Sequence, residues 1–251
     1  MSKLPQIGTS IFTVMSKMAT EYNAINLSQG FPNFAIDQRL SDIVSRLSKE
    51  NVHQYLPMSG FHPLLNKIAT LVYNSYGRTI QAESEILVTA GATQAIFTTI
   101  TALVNSGDEV ILLDPSYDCY EAPILLCNAK PIRVALNDDY TPNWEQIEKA
   151  FSSETKMIII NNPHNPTGKI WTEDDFIALE NILQKFPKTI VLSDEVYEYI
   201  HFKHPHISAH SREKLQNRAI VISSFGKSFH ITGWKVGYLV AADYLMLEIK
   251  K

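Results

Sequence analysis

Cysteine is scarce: there are two in 251 residues, Cys119 and Cys127, without Cys-x-x-Cys spacing. That argues against a disulfide framework or a cysteine metal site, and both read as reduced core thiols on one predicted helix. No apolar run approaches the ~18 residues of a membrane span, and Pro5 and Gly8 interrupt any leader-like stretch, so cytoplasm is the expected location. A dominant charge is missing too. The net charge is −4 with no block of like charges, which argues against nucleic acid or an anionic membrane as a main partner and favours a small molecule. There is no internal repeat, low-complexity segment or Gly/Ser linker. What is plentiful is apolar: 45% of residues, against 19% charged, enough to bury a full core.

Those apolar residues alternate between two periods. Strands are predicted at 85–90, 109–113, 131–135, 156–160, 189–193 and 219–222. Helices are predicted at 93–104, 117–126, 144–151 and from a Thr172 cap to Phe186. Continuously apolar strands separated by helices imply βαβ crossovers, hence an α/β fold with a mainly parallel sheet covered by helices on both faces. Earlier helices at 40–47 and 64–76 flank Gln54-Tyr55-Leu56-Pro57-Met58-Ser59-Gly60 and follow the irregular Ser28-Gln29-Gly30-Phe31-Pro32. The expected organisation is an N-terminal arm over 1–45, a large domain over 46–243 and the start of a connecting helix over 244–251.

In open α/β sheets, ligands bind beyond the carboxyl ends of the strands. Gly91-Ala92-Thr93 opens a helix there, so its amides and the helix dipole suit an anion such as phosphate. Asp114-Pro115-Ser116-Tyr117 puts an aromatic ring at a helix start. Asn161-Asn162-Pro163-His164-Asn165-Pro166-Thr167-Gly168 is a rigid turn that aims the Asn165 amide. Asp194, in Ser193-Asp194-Glu195-Val196-Tyr197, ends an apolar run, where a carboxylate needs a cationic partner. Taken singly, each has a bland reading: a plain βα turn, a well-formed loop, a structural salt bridge.

Lys227 follows the strand Ala219-Ile220-Val221-Ile222 in a small-residue turn, Ser223-Ser224-Phe225-Gly226-Lys227. An amine attacks a carbonyl only when unprotonated, which requires desolvation or a neighbouring cation, and Lys235 is a candidate for that cation. A phosphate seat, a ring, an amide, a carboxylate with a tyrosine three residues on, and an imine-forming lysine are together the complement of pyridoxal 5'-phosphate. Two rivals fail. Gly226-Lys227-Ser228 is like the end of a nucleotide-binding P-loop, but that motif needs glycine where Val221 stands. His201, His204, His206 and His210 lie on a segment with Pro205 and no cysteine, and read as a solvated linker rather than a metal site.

From Leu4 to its end the chain resembles the fold type I pyridoxal-phosphate enzymes, within them class I aminotransferases of the methionine and kynurenine aminotransferase kind. The resemblance rests on Ser28-Gln29-Gly30-Phe31-Pro32, Gln54-Tyr55, Ala90-Gly91-Ala92-Thr93, Asp114-Pro115-Ser116-Tyr117, Asn162-Pro163-His164-Asn165-Pro166-Thr167-Gly168, Asp194-Glu195-Val196-Tyr197 and Ser223-Ser224-Phe225-Gly226-Lys227. It implies that Lys227 carries the cofactor covalently and then moves a proton at the substrate α-carbon, and that Asp194 keeps the pyridine nitrogen protonated. Tyr197 and Asn165 are implied to bond the ring oxygen and Tyr117 to stack on the ring. Gly91, Ala92, Thr93, Ser224 and Lys235 are implied to hold the phosphate, and Gly30 to meet the substrate carboxylate, as does Asn165. Family members are homodimers, and Tyr55 matches a residue given to the partner's phosphate.

The implied reaction moves an amino group from methionine or an aromatic amino acid to a 2-oxo acid. The same site serves a cysteine-conjugate lyase, and a large-domain protein without catalysis is a third reading. Two departures stand out. Lysine at 235 replaces the arginine of many aminotransferases, giving a point charge instead of a guanidinium fork. The chain also stops at Lys251, where family members continue into a small domain whose arginine pairs with the substrate carboxylate. The expectation is impaired transfer and, from a cut helix after Asp243, apolar residues left in water.

Overall fold

The computed structural model describes residues 2–30 and 32–251; Phe31, within the Gly30 motif, lies outside them. The chain forms two compact units, residues 1–52 and 53–251. The first contains α1 (Ile11–Glu21) and α2 (Gln38–Leu47), neither of which buries a residue; Asp37 caps α2 by accepting from the Arg39 amide.

The second unit begins with α3 (His62–Tyr76), which has a proline in its first turn and ends at Gly77 in the left-handed region (φ 71°). There follow α4 (Ala82–Glu85), β1 (Ile86–Thr89), α5 (Ala92–Leu103), β2 (Glu109–Asp114), α6 (Glu121–Leu126) and β3 (Lys130–Ala135). After these come α7 (Trp144–Ala150), β4 (Thr155–Asn161), α8 (Glu173–Lys185), β5 (Ile190–Asp194), β6 (Ala219–Ser224), α9 (Phe225–Ser228), β7 (Gly237–Val240) and α10 (Asp243–Ile249). Thr172 caps α8 through a reciprocal box with Asp175, so the predicted start of that helix has a definite chemical cause.

Among the described residues the strands form one sheet in the order β1-β7-β6-β5-β4-β2-β3. β2 to β6 pair in parallel, while β7 runs antiparallel to both β1 and β6. The fold is therefore α/β with a mainly parallel sheet. Period-two alternation assigns its faces: Val110, Leu112, Ile159 and Leu192 meet α5, α6 and α10 on one side. Ile111, Leu113, Ile158 and Val191 meet α7 and α8 on the other. A third apolar cluster joins α3 to Ile86, Tyr238 and Val240.

Three expectations need correction. The helix predicted from Tyr117 starts only at Glu121, so Cys119 precedes it and Cys127 caps it, and both thiols are half-buried and free. Residues 117–120 form a turn that brings Tyr120 inward. In α10, Leu245, Met246 and Ile249 are buried in the core, not left in water, while Tyr244 and Leu247 stay exposed.

Candidate active site

The parallel strands end on one edge of the sheet, and the predicted residues of the second unit other than Tyr55 gather there. Gly91 (φ 81°) leads into α5, whose N-terminus has no side-chain cap, so its first amides remain available. Thr89 donates to the Gly91 carbonyl at 3.0 Å, and the Ala90 amide donates to Gln94 at 2.5 Å, fixing the turn. Lys235, with its backbone in the left-handed region, sends its amine back over this turn. A Cβ on Gly91 would lie 3.4 Å from Lys235 Nζ and 3.2 Å from its Cε. Gly237 is demanded as strongly, since its Cβ would sit 2.8 Å from the Ala92 nitrogen and 3.0 Å from the Ser223 carbonyl. In register, Gly237 faces Thr89 on one side and Ser224 on the other, so one strand start joins the helix N-terminus to the Lys227 turn.

Lys227 lies on α9, half-buried, with Nζ 5.4 Å from the centre of the Tyr197 ring. Burial lowers its pKa and the charge of Lys235 pushes the same way, while Asp194 opposes both. The neighbour expected from sequence is thus in place. Asp194 is buried, and burial lifts its carboxyl from 3.8 to about 6, against hydrogen bonds from Tyr120 and the Val196 amide and the charge of Lys227. The cation expected to pair with it directly is absent. Its direct side-chain partner is the Tyr120 hydroxyl, which donates to Oδ2 at 2.7 Å, and among the described residues no cationic nitrogen lies within ion-pair distance.

Burial and the charge of Asp194 raise the pKa of the Tyr197 phenol, and the nearby Asn165 side chain opposes them. Tyr117 hydrogen-bonds Thr93, and burial raises its pKa to about 12. Its ring meets Tyr120 edge-on at 5.8 Å. His164 ties two strand ends together: its ring bonds the Pro115 carbonyl and lies 2.7 Å from the Thr167 hydroxyl, and burial keeps it neutral by lowering its pKa. Tyr55 is fully exposed on the loop before α3, and Gly30 lies in the N-terminal unit.

The histidine segment is not the solvated linker expected from sequence. His201 and His204 are exposed, but the side chains of His206 and His210 are buried. His206 pairs with Glu195 at 2.8 Å, and Glu195 also accepts from Ser193 and the Ala209 amide. Burial works to raise the Glu195 pKa, but the hydrogen bond and charge of His206 hold it below its ordinary value. This staples 206–209 to the end of β5. No group of three His, Cys, Asp or Glu among the described residues is arranged to hold a metal. Sequence reading also missed Tyr120. Nothing local marks it, because it meets Asp194 across 74 residues of chain.

A family model for aminotransferase class I and II matches residues 22–251. The chain belongs to this family. It is 44% identical to the methionine aminotransferase of Escherichia coli over 100% of its own length and 65% of the relative's, and 37% identical to a Dictyostelium discoideum kynurenine–oxoglutarate transaminase over 95% and 59%. An Escherichia coli crystal structure whose reactivity identified a methionine aminotransferase function superposes with a TM-score of 0.95 at 43% identity, covering 100% of this chain and 66% of that one. N-succinyldiaminopimelate aminotransferase from Mycobacterium tuberculosis also reaches 0.95, at 33% identity with the same coverages. The chain thus spans slightly less than two thirds of these relatives' length.

Enzymes of this family act on amino and oxo acids with pyridoxal phosphate. The candidate site has the donor set for that group. An uncapped helix N-terminus and Lys235 suit its phosphate, a buried carboxylate without a cation suits a protonated ring nitrogen, and a lysine of lowered pKa suits its carbonyl.

Proposed function

We propose that this chain carries the pyridoxal-phosphate site of an aminotransferase that takes its amino group from methionine or an aromatic amino acid and gives it to a 2-oxo acid. The observation that carries the reading is Lys227, whose pKa burial lowers, standing near the buried Asp194, which among the described residues has no cationic nitrogen within ion-pair distance. The donor assignment rests on similarity to methionine and kynurenine aminotransferases. When bound, pyridoxal phosphate supplies a carbonyl and an electron-withdrawing ring.

The residues then divide the work. The Gly91, Ala92 and Thr93 amides, Ser224 and Lys235 hold the phosphate, with lysine at 235 acting as a point charge. Asp194 holds the proton on the ring nitrogen, which keeps the ring withdrawing through the reaction. Tyr197 and Asn165 donate to the ring oxygen, and Tyr117 lies against the ring. Lys227, as the free amine, would hold the cofactor through its carbonyl carbon, and its Nζ, once free, would move the proton at the substrate α-carbon. Asn165 also meets the substrate carboxylate. The full exposure of Tyr55 supports a role toward a second copy, with the protein working as a homodimer.

The test is a half-reaction. With pyridoxal phosphate bound and no acceptor present, methionine should release its oxo acid up to one equivalent per site and then stop. Adding a 2-oxo acid should restart turnover. Pyruvate released continuously from a cysteine conjugate, with no methionine conversion, would replace this reading with a lyase, and no chemistry with either would leave a non-catalytic large domain.

A further inference from the structure

Asn161 is the last residue of β4 and stands in register with Asp194 on β5. Its side chain is buried, and both ends of the amide are used. Nδ2 donates to the Asp194 backbone carbonyl at 2.9 Å, and Oδ1 accepts from the Asn165 amide at 2.7 Å. The partners settle the amide's orientation, since a carbonyl only accepts and a backbone N–H only donates. The Asn165 side chain in turn lies near enough to the Tyr197 phenol to oppose the rise of its pKa. One short side chain therefore connects the backbone of the residue assigned to the ring nitrogen with the backbone of a residue assigned to the ring oxygen.

Its neighbour makes the contrast. Asn162 is also buried and also uses both ends, but it donates to the Ile207 carbonyl at 2.9 Å and accepts from the Trp171 amide at 3.0 Å, so its side chain fastens loops to each other. The two asparagines are adjacent, both buried and chemically identical, and only the Asn161 side chain spans site residues.

We infer that Asn161 is a positioning residue: its amide sets the distance between the Asn165–Tyr197 pair and Asp194, so that donors at opposite sides of the cofactor ring are held in one geometry. The inference rests on the proposed pyridoxal-phosphate site. Loss of the amide unties Asn165 from β4 and leaves the Asn162 backbone N–H, which donates to the Asp194 carbonyl at 3.0 Å, as the turn's remaining hydrogen bond to Asp194, so the Asn165 and Tyr197 donors then meet the ring oxygen less well. Those donors favour negative charge on that oxygen, so loosening them makes the bound chromophore hold its proton to higher pH.

The experiment uses the full chain and pyridoxal phosphate as the probe, in wild type, Asn161→Ala, Asn162→Ala, Asn165→Ala and the Asn161→Ala/Asn165→Ala double variant. Each is read by dissociation constant, by the pH midpoint of the bound cofactor's visible band, and by thermal midpoint. Asn161→Ala should weaken binding about tenfold, the loss of roughly one hydrogen bond, and move the pH midpoint upward. In the Asn165→Ala background it should add little. Asn162→Ala should lower the thermal midpoint while leaving the pH midpoint in place. Full additivity of the two changes, or an unmoved pH midpoint in Asn161→Ala, overturns the inference. If Asn161→Ala fails to fold, Asn161→Ser takes its place, and failure of both makes Asn161 a folding residue and ends the proposal. Wild type that binds no pyridoxal phosphate refutes the proposed function instead, a separate outcome.

Discussion

Asp194 carries its cost in the cofactor-free protein. Its folded pKa, about 6, lies above the ordinary 3.8, so the folded state holds the proton longer than the unfolded chain. The stability this contributes is complete below 3.8 and is lost as pH rises through about 6. A shift of about two units corresponds to on the order of 3 kcal/mol. Asp194→Asn should therefore make cofactor-free protein more stable than wild type at neutral pH, with the gap opening between pH 4 and 6, and should sharply reduce methionine turnover. Thermal melts across pH check the first half; parallel melting curves at every pH would contradict it. Tyr120→Phe removes a donor to the charged carboxylate and should push that pKa higher still, weakening pyridoxal phosphate binding at pH 7 by about tenfold. Equal dissociation constants would show that the phenol does not tune Asp194. At this scale the sequence displayed Lys227, Asp194, Tyr197 and Asn165 because each stands in a motif at a strand end. Tyr120 and the Glu195–His206 pair were hidden because their partners lie far along the chain or behind the strand, where no local pattern records them.

Among the elements, β7 was the least legible. Gly237-Tyr238-Leu239-Val240 is short, and nothing local says that it runs antiparallel between β1 and β6. Its placement is what carries Lys235 back to Gly91, and the contact is close enough that Gly237 tolerates no side chain. Gly237→Ala should drive the α5 N-terminus away from Lys235, costing about 1–3 kcal/mol of stability and weakening binding of pyridoxal phosphate more than that of pyridoxal, which lacks the phosphate. Equal weakening of the two would mean that the strand start does not shape the anion seat. The longer elements were readable because their periodicity is strong and their caps are chemical, as with Thr172 and Asp175. The start of α6 was misjudged because residues 117–120 keep helix-like spacing while turning Tyr120 toward the carboxylate.

For the whole molecule, strands that are apolar on both faces announced a covered parallel sheet, and the edge where those strands end is where the site stands. The reverse-running strand and the burial of α10 came from long-range packing that composition does not report. The account's central claim is that this edge holds pyridoxal phosphate on Lys227. The most direct measurement is borohydride reduction of the protein with pyridoxal phosphate, followed by peptide mass mapping. The reduced adduct should appear on the peptide containing Lys227 and should vanish in Lys227→Ala, whereas an adduct on another lysine, or none, would contradict the claim.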